Sequence, residues 1–254
     1  LDRLYLDYNK REFVHPDPLE FLYRYEKVKD REIAGLIASS LAYGRVKQIL
    51  KSVDKILKIM GNSPFDFILH NNKNSMLKFF AGFKHRFTKE NDVILMLLAV
   101  KKIITKYNSI ENCFKKNLNE KDSNIINALE KFVKELTINF TDKANYLVPA
   151  PSKGSACKRL NLFLRWMVRS DKVDPGGWKG ISKSKLVIPL DTHMWQISKK
   201  LGFTDRKQAN LKAALEITES FKGISPRDPV KYDFALTRFG INYKLDGQKF
   251  LREL

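Results

Sequence analysis

Apolar residues recur along most of this chain at the three-and-four spacing of helices buried on one side. Ile33, Ile37 and Leu41 share a face of a segment that Asp30 is placed to cap, running through Tyr43 to a stop at Gly44. Val46, Ile49, Leu50, Val53, Leu57 and Met60 predict a second helix, ending at Gly61. Val93, Met96, Leu97, Val100, Ile104 and Tyr107 mark a third, and Ile125, Leu129, Phe132, Val133 and Leu136 a fourth. Asp205 and Asp228 are expected to cap two C-terminal helices, with Pro229 at a first helical position, where a missing N–H costs nothing. Strand-type alternation is essentially absent, so the expected fold class is all-α.

Two segments break the periodicity. Residues 139–155 form a turn-rich connector that includes Pro149-Ala150-Pro151-Ser152-Lys153-Gly154. Residues 170–188 carry an Asp-Pro-Gly-Gly turn, Trp178 and several lysines. Between them, Leu160, Phe163, Leu164, Met167 and Val168 form a buried stripe on a helix starting near Ala156. At about 100° per residue, Lys158, Arg165 and Arg169 fall on the opposite face. That face reads either as solvated or as a basic front for a polyanion. Gly154 and Ser155 stand before the helix, where free N–H groups and the dipole suit a phosphate. Further on, Pro189-Leu190-Asp191-Thr192-His193-Met194-Trp195 opens a helix capped by Asp191, with Met194, Ile197 and Leu201 facing inward and Gly202 at its end.

Charge adds the first functional signal. Across 254 residues, Lys+Arg 47 against Asp+Glu 28 gives a net charge of +19. An excess of this size suits a nucleic acid, because every neutralised phosphate releases condensed counterions. A compositional bias toward Lys, Asn and Ile is the competing explanation. No apolar run reaches the roughly 18 residues of a membrane span, and Leu1–Tyr5 lacks the layout of a secretion signal. Cys113 and Cys157 are too few for a disulfide scaffold, and the four histidines share no metal-ligand spacing, so no metal is expected.

The Asp191 block and the helix before it, GSACKRLNLFLRWM, together resemble the helix-hairpin-helix DNA glycosylases, the superfamily of endonuclease III and 8-oxoguanine DNA glycosylase. PLDTHMWQISKKLG matches the block that carries the catalytic aspartate there, and Lys158 falls at the position of the catalytic lysine, with Asn161 one turn later. LIASSLAYGRVKQI resembles the segment that approaches the opposite strand, and FAGFKHRF a Gly-Tyr-Arg-Ala-Arg-like turn. GSACKRLNLFLRWMVR and DPVKYDFALTRFGI also resemble an uncharacterised bacterial family near this superfamily, one without established activity.

The resemblance implies two helical subdomains with a cleft between them, one of residues 31–169 with Lys158 and one of 1–30 plus 170–254 with Asp191. It implies base-excision repair: a damaged base extruded from double-stranded DNA, since the glycosidic bond is inaccessible inside the stack. Lys158, as a neutral amine, attacks the sugar C1′ and forms a Schiff base, while Asp191 stabilises the oxocarbenium-like sugar and accepts a proton. Alternatively, Asp191 activates water, giving a glycosylase without lyase activity. Nucleic-acid contacts are expected from Gly154, Ser155, Arg159, Arg165, Arg169, Lys84, Arg86, Tyr43, Arg45, His193 and Trp178. Tyr43 is suited to intercalate or to pack, and Trp178 to stack on a base or to anchor its loop. The four-cysteine loop of endonuclease III is absent, so neither an iron–sulfur cluster nor another cofactor is expected. The implied setting is a cytoplasmic, nucleoid-associated monomer, and the alternative is a non-catalytic DNA- or RNA-binding protein.

Overall fold

The computed structural model describes residues 1–138 and 145–242. Of the 139–155 connector, residues 139–144 lie outside the described ones, as do the expected subdomain's residues 243–254. The elements are α1 (Asp2–Tyr8), α2 (Val28–Ser40), α3 (Val46–Met60), α4 (Pro64–His70), α5 (Lys73–Phe79), β1 (Lys84–His85), β2 (Thr88–Lys89), α6 (Glu90–Tyr107), α7 (Ile110–Lys116), α8 (Ile126–Thr137), α9 (Lys158–Val168), α10 (Thr192–Lys200), α11 (Leu211–Ile224) and α12 (Asp233–Asn242). The fold is all-α. Strand pairing among the described residues is confined to β1–β2, an antiparallel hairpin. No helix among them is long and apolar enough to cross a membrane.

The chain divides into two compact units. One comprises 16–122 and 127–150; the other comprises 1–15, 123–126 and everything described from Pro151 onward. The division falls elsewhere than expected: residues 16–30 group with the first helices, and residues 151–169, with Lys158, group with Asp191.

In the first unit α2 is the centre, buried from Glu32 to Ser40. Asp30 does not cap this helix. Its Oδ1 accepts from the Ser63 hydroxyl at 2.8 Å and the Phe65 N–H at 2.9 Å, at the start of α4. Glu32 does the same for α7, accepting from the N–H groups of Ile110 at 2.8 Å and Glu111 at 3.0 Å. Two acids of a central helix thus satisfy orphan donors of two others, where helix dipoles favour negative charge. Helices α3 and α6 follow the periodic reading, except that Val46 is exposed and Leu50 half-buried, and Gly61 ends α3 with a φ of 71°.

In the other unit, Leu160, Phe163, Leu164, Met167 and Val168 are buried as their spacing predicts. Helix α10 packs on α12, and α12 on α1. The two C-terminal caps are elsewhere than expected. Asn210, not Asp205, caps α11, accepting from the Ala213 N–H at 3.1 Å. Asp228 precedes α12 without capping it, and Pro229 lies outside the helix, which begins at Asp233.

Candidate active site

Helix α9 organises the site. Its last carbonyls are claimed by the loop after it: Gly176 N–H donates to Trp166 O at 3.0 Å and Trp178 N–H to Met167 O at 2.9 Å. The Asp-Pro-Gly-Gly turn makes this return possible. Gly176 has a φ of +62°, and a Cβ there would sit 2.7 Å from Arg169 O, an approach open only to glycine. Trp178 is 5% exposed and meets Phe163 edge-on, with ring centroids 5.2 Å apart. It anchors its loop on the core and does not offer a ring to a nucleic acid.

Lys158, Arg165 and Arg169 do share one face of α9, but that face is not a basic front on solvent. Arg165 and Arg169 are 3% and 2% exposed. Arg165 pairs with Asp174 at 3.2 Å and with Asp233; Arg169 pairs with Asp171 at 2.8 Å, Asp228 at 3.0 Å and Asp174. Phosphate contact by either arginine is therefore excluded in this conformation, because burying an arginine demands carboxylate partners and these occupy its donors. Burial disfavours the Arg169 charge, yet Asp174, Asp228 and Asp171 hold its proton affinity above the usual range. Burial raises Asp174, although Arg165 and Arg169 pull the other way. Burial also pushes Asp233 up to about 6, against the opposing pull of Arg165.

Lys158 continues this row of ion pairs at its open end. Its Nζ lies 3.0 Å from Asp191 Oδ2, with side chains 35% and 27% exposed. Both residues are fixed by backbone. Lys158 is the first residue of α9, after Cys157, which holds a left-handed φ of 48° and offers no side-chain cap. Asp191 caps α10 as expected, its Oδ1 accepting from the Met194 N–H at 2.9 Å. One carboxylate oxygen thus serves the fold and the other faces the amine. Burial opposes the charge on Asp191, but Lys158 and the Met194 N–H overcome it, holding this carboxyl below its usual range. Buried Asn161, one turn along α9, donates to Ala156 O at 3.0 Å and ties down the turn before Lys158.

Around this pair, Gly154 is exposed with a φ of +76°, Ser155 and Arg159 are half-buried, and His193 is exposed. Ser155 Oγ accepts from the Cys157 N–H at 3.1 Å, shaping the turn. The remaining expected residues belong to the other unit. Arg45 precedes α3 and is exposed, as are Lys84 and Arg86 on the β1–β2 hairpin. The Arg86 guanidinium lies 5.9 Å from the centroid of the half-buried Tyr43 ring. The Tyr43 hydroxyl donates to His85 O at 3.1 Å and also meets Thr88, and its ring stacks on Phe87 with centroids 5.0 Å apart. Tyr43 is thus packed rather than free to intercalate. His85 is fully buried between Ser52 and the Tyr43 carbonyl.

Sequence reasoning missed the aspartates that partner the arginines. Asp171 and Asp174 were visible in a turn that returns to α9, whereas Asp228 and Asp233 carry no local signal. Among the described residues, no group of three His, Cys, Asp or Glu is placed to hold a metal ion. Over residues 17–242 the chain matches a family described as a protein of unknown function (DUF2400). No curated protein and no solved structure matches it.

Proposed function

The chain belongs to the DUF2400 family, and for it we propose a DNA glycosylase activity of the helix-hairpin-helix type, with Lys158 and Asp191 as the catalytic residues. The observation that carries the reading is the 3.0 Å contact between a lysine at a helix start and a carboxylate held by an N-cap, both partly open to solvent. The net charge of +19 supports a polyanionic substrate.

In this reading, double-stranded DNA presents an extruded, damaged nucleotide at the open end of the ion-pair row. Asp191 Oδ2 takes a proton from the Lys158 ammonium. The freed amine lone pair forms a bond to C1′ as the base departs with the glycosidic electrons and a proton from solvent. The C1′-bound nitrogen then gives a proton to solvent, and its lone pair opens the C1′–O4′ bond, O4′ taking the proton held by Asp191, to yield the Schiff base. Asp191 also faces the positive charge that develops on the sugar. The chain acts as a monomer.

Borohydride trapping on duplexes carrying 8-oxoguanine, thymine glycol, uracil or an abasic site tests this. A covalent adduct is expected, absent in Lys158→Ala. In Asp191→Asn, base release slows while the fold stays intact, because asparagine caps a helix as well as aspartate does. Absence of both adduct and base release on every duplex refutes the reading.

A non-catalytic nucleic-acid-binding protein is the second reading. One observation favours it: the amine is already engaged by a carboxylate, as a purely structural ion pair would be. Salt-sensitive duplex binding without base release would establish it.

A further inference from the structure

The row of ion pairs along α9 holds three cations, Lys158, Arg165 and Arg169, against five carboxylates, Asp191, Asp233, Asp174, Asp171 and Asp228. Charge is thus not balanced within the row, and carboxylates compete for protons. Arg165 lies seven residues after Lys158, which brings it back to nearly the same angle on the helix two turns away. Asp233 is the first residue of α12, and α12 packs on α10, whose cap is Asp191. One helix therefore presents two cations to the N-terminal ends of two mutually packed helices. Lys158–Asp191 forms the open junction and Arg165–Asp233 the closed one, with both closed side chains 4% exposed.

We propose that Asp233 is a positioning residue of the Lys158–Asp191 site: seated on Arg165, it fixes α9 against the start of α12 and sets the negative charge felt by Asp191. The kinetic consequence rests on the catalytic reading above; the electrostatic one does not. The charged groups around Asp233 are Arg165 from α9, Asp174 from the 170–188 loop and Asp191 from the start of α10. From α1, Asp2 takes the neighbouring Lys231 at 2.6 Å and the Tyr232 hydroxyl at 3.0 Å. The Asp191 charge raises the proton affinity of Asp233, and like charge acts in both directions. When Asp233 takes up a proton, near pH 6, Asp191 becomes a firmer anion and holds the Lys158 ammonium more tightly. The site is then weaker as a source of free amine.

Carbon-detected NMR titration of the aspartate carboxyls in the full chain tests this. In the wild type, the Asp191 signal is expected to show a second inflection near pH 6, where Asp233 titrates. In Asp233→Asn that inflection vanishes, since the neighbouring charge that titrates there has been removed. An Asp191 signal without that inflection in the wild type overturns the proposal. This arm stands even if Asp233→Asn does not fold; a folded variant with unchanged Asp191 titration overturns it equally. In borohydride trapping, Asp233→Asn is expected to lose the acid limb near pH 6 and to react more slowly at pH 8, with Asp233→Glu restoring both. If the wild type traps nothing at any pH, the catalytic reading fails, and the NMR arm still decides the positioning role.

Discussion

Replacing Arg169 by methionine keeps an unbranched, buried side chain of similar length and removes only its charge and donors. Three carboxylates lose a partner. Asp171 retains the Val173 and Asp174 N–H groups at 2.8 Å and the Tyr5 hydroxyl at 3.1 Å. Asp228 has a partly exposed side chain and regains water. The cost concentrates on Asp174, which is 0% exposed and is left with Arg165 alone. Breaking a buried pair by deleting one partner costs about 3–5 kcal/mol, because the survivor is a buried charge. At about 2–4 °C per kcal/mol for a chain of this size, the melting temperature is expected to fall by roughly 6–20 °C. Thermal and urea unfolding followed by circular dichroism measure it. The control is Lys58→Met, whose partner is Asp54 and whose side chain is 74% exposed; such pairs are worth at most about 1 kcal/mol. Adding Asp174→Asn to Arg169→Met is expected to restore part of the loss, the non-additivity that a shared network produces. A loss of about 1 kcal/mol or less in Arg169→Met, matching the control, would refute the buried network and return α9's polar face to solvent.

Other outcomes follow from the same geometry. Asp233 binds its proton more tightly folded than unfolded, so it stabilises below the unfolded carboxyl range, and that contribution is lost as pH rises through about 6. With the folded state holding one extra proton between about pH 4 and 6, stability from this group declines by about 1.4 kcal/mol per pH unit, a slope that urea titrations of Asp233→Asn should lack. Trp178→Ala is expected to cost about 3–5 kcal/mol of stability, and duplex affinity of the still-folded protein should be unchanged; weakened binding with normal stability would instead assign the ring to DNA. Gly44 holds a φ of +94°, and a Cβ there would meet Arg86 Cδ at 2.8 Å. Gly44→Ala is therefore expected to destabilise by about 1 kcal/mol or more; unfolding indistinguishable from wild type would contradict the close approach. On the proposed nucleic-acid-binding reading, replacing exposed Lys84 or Arg86 by alanine reduces the salt slope of duplex binding by about 1 each, read from affinity against salt concentration.

Much of the helical frame was legible because it rests on local periodicity. The buried stripes of α3, α6, α8 and α9 were visible in spacing alone, and the Asp191 cap in the residues following it. What failed were inferences about where a polar side chain goes once its own helix is formed. Asp30 looked like a cap and is one, but for α4, 33 residues away. The polar face of α9 looked basic because two of its carboxylates are distant, Asp228 lying 59 residues from Arg169 and Asp233 68 from Arg165, and two others sit in a turn that periodicity does not place on the helix. Periodicity identifies the face that avoids water, and only tertiary structure decides whether the opposite face meets water or other charges. Lys158 and Asp191 came together within one unit because the 170–188 segment, read as an interruption, folds back onto α9 and carries two of its counter-ions.

The discontinuous unit also sets an order of events during synthesis. Residues 1–15 are made long before the segments they pair with: Asp2 waits for Lys231, 229 residues later, and Tyr5 for Asp171, 166 later. Both segments of the other unit, 16–122 and 127–150, are made in between. At about 5–20 residues per second, α1 spends roughly 10–50 s unpartnered. Leu4, 7% exposed in the finished protein, is open to chaperones, proteases and neighbouring nascent chains for all of that time. Completion of the Lys158–Asp191 unit therefore waits for α12, which packs on both α1 and α10, after every residue of the other unit has been made.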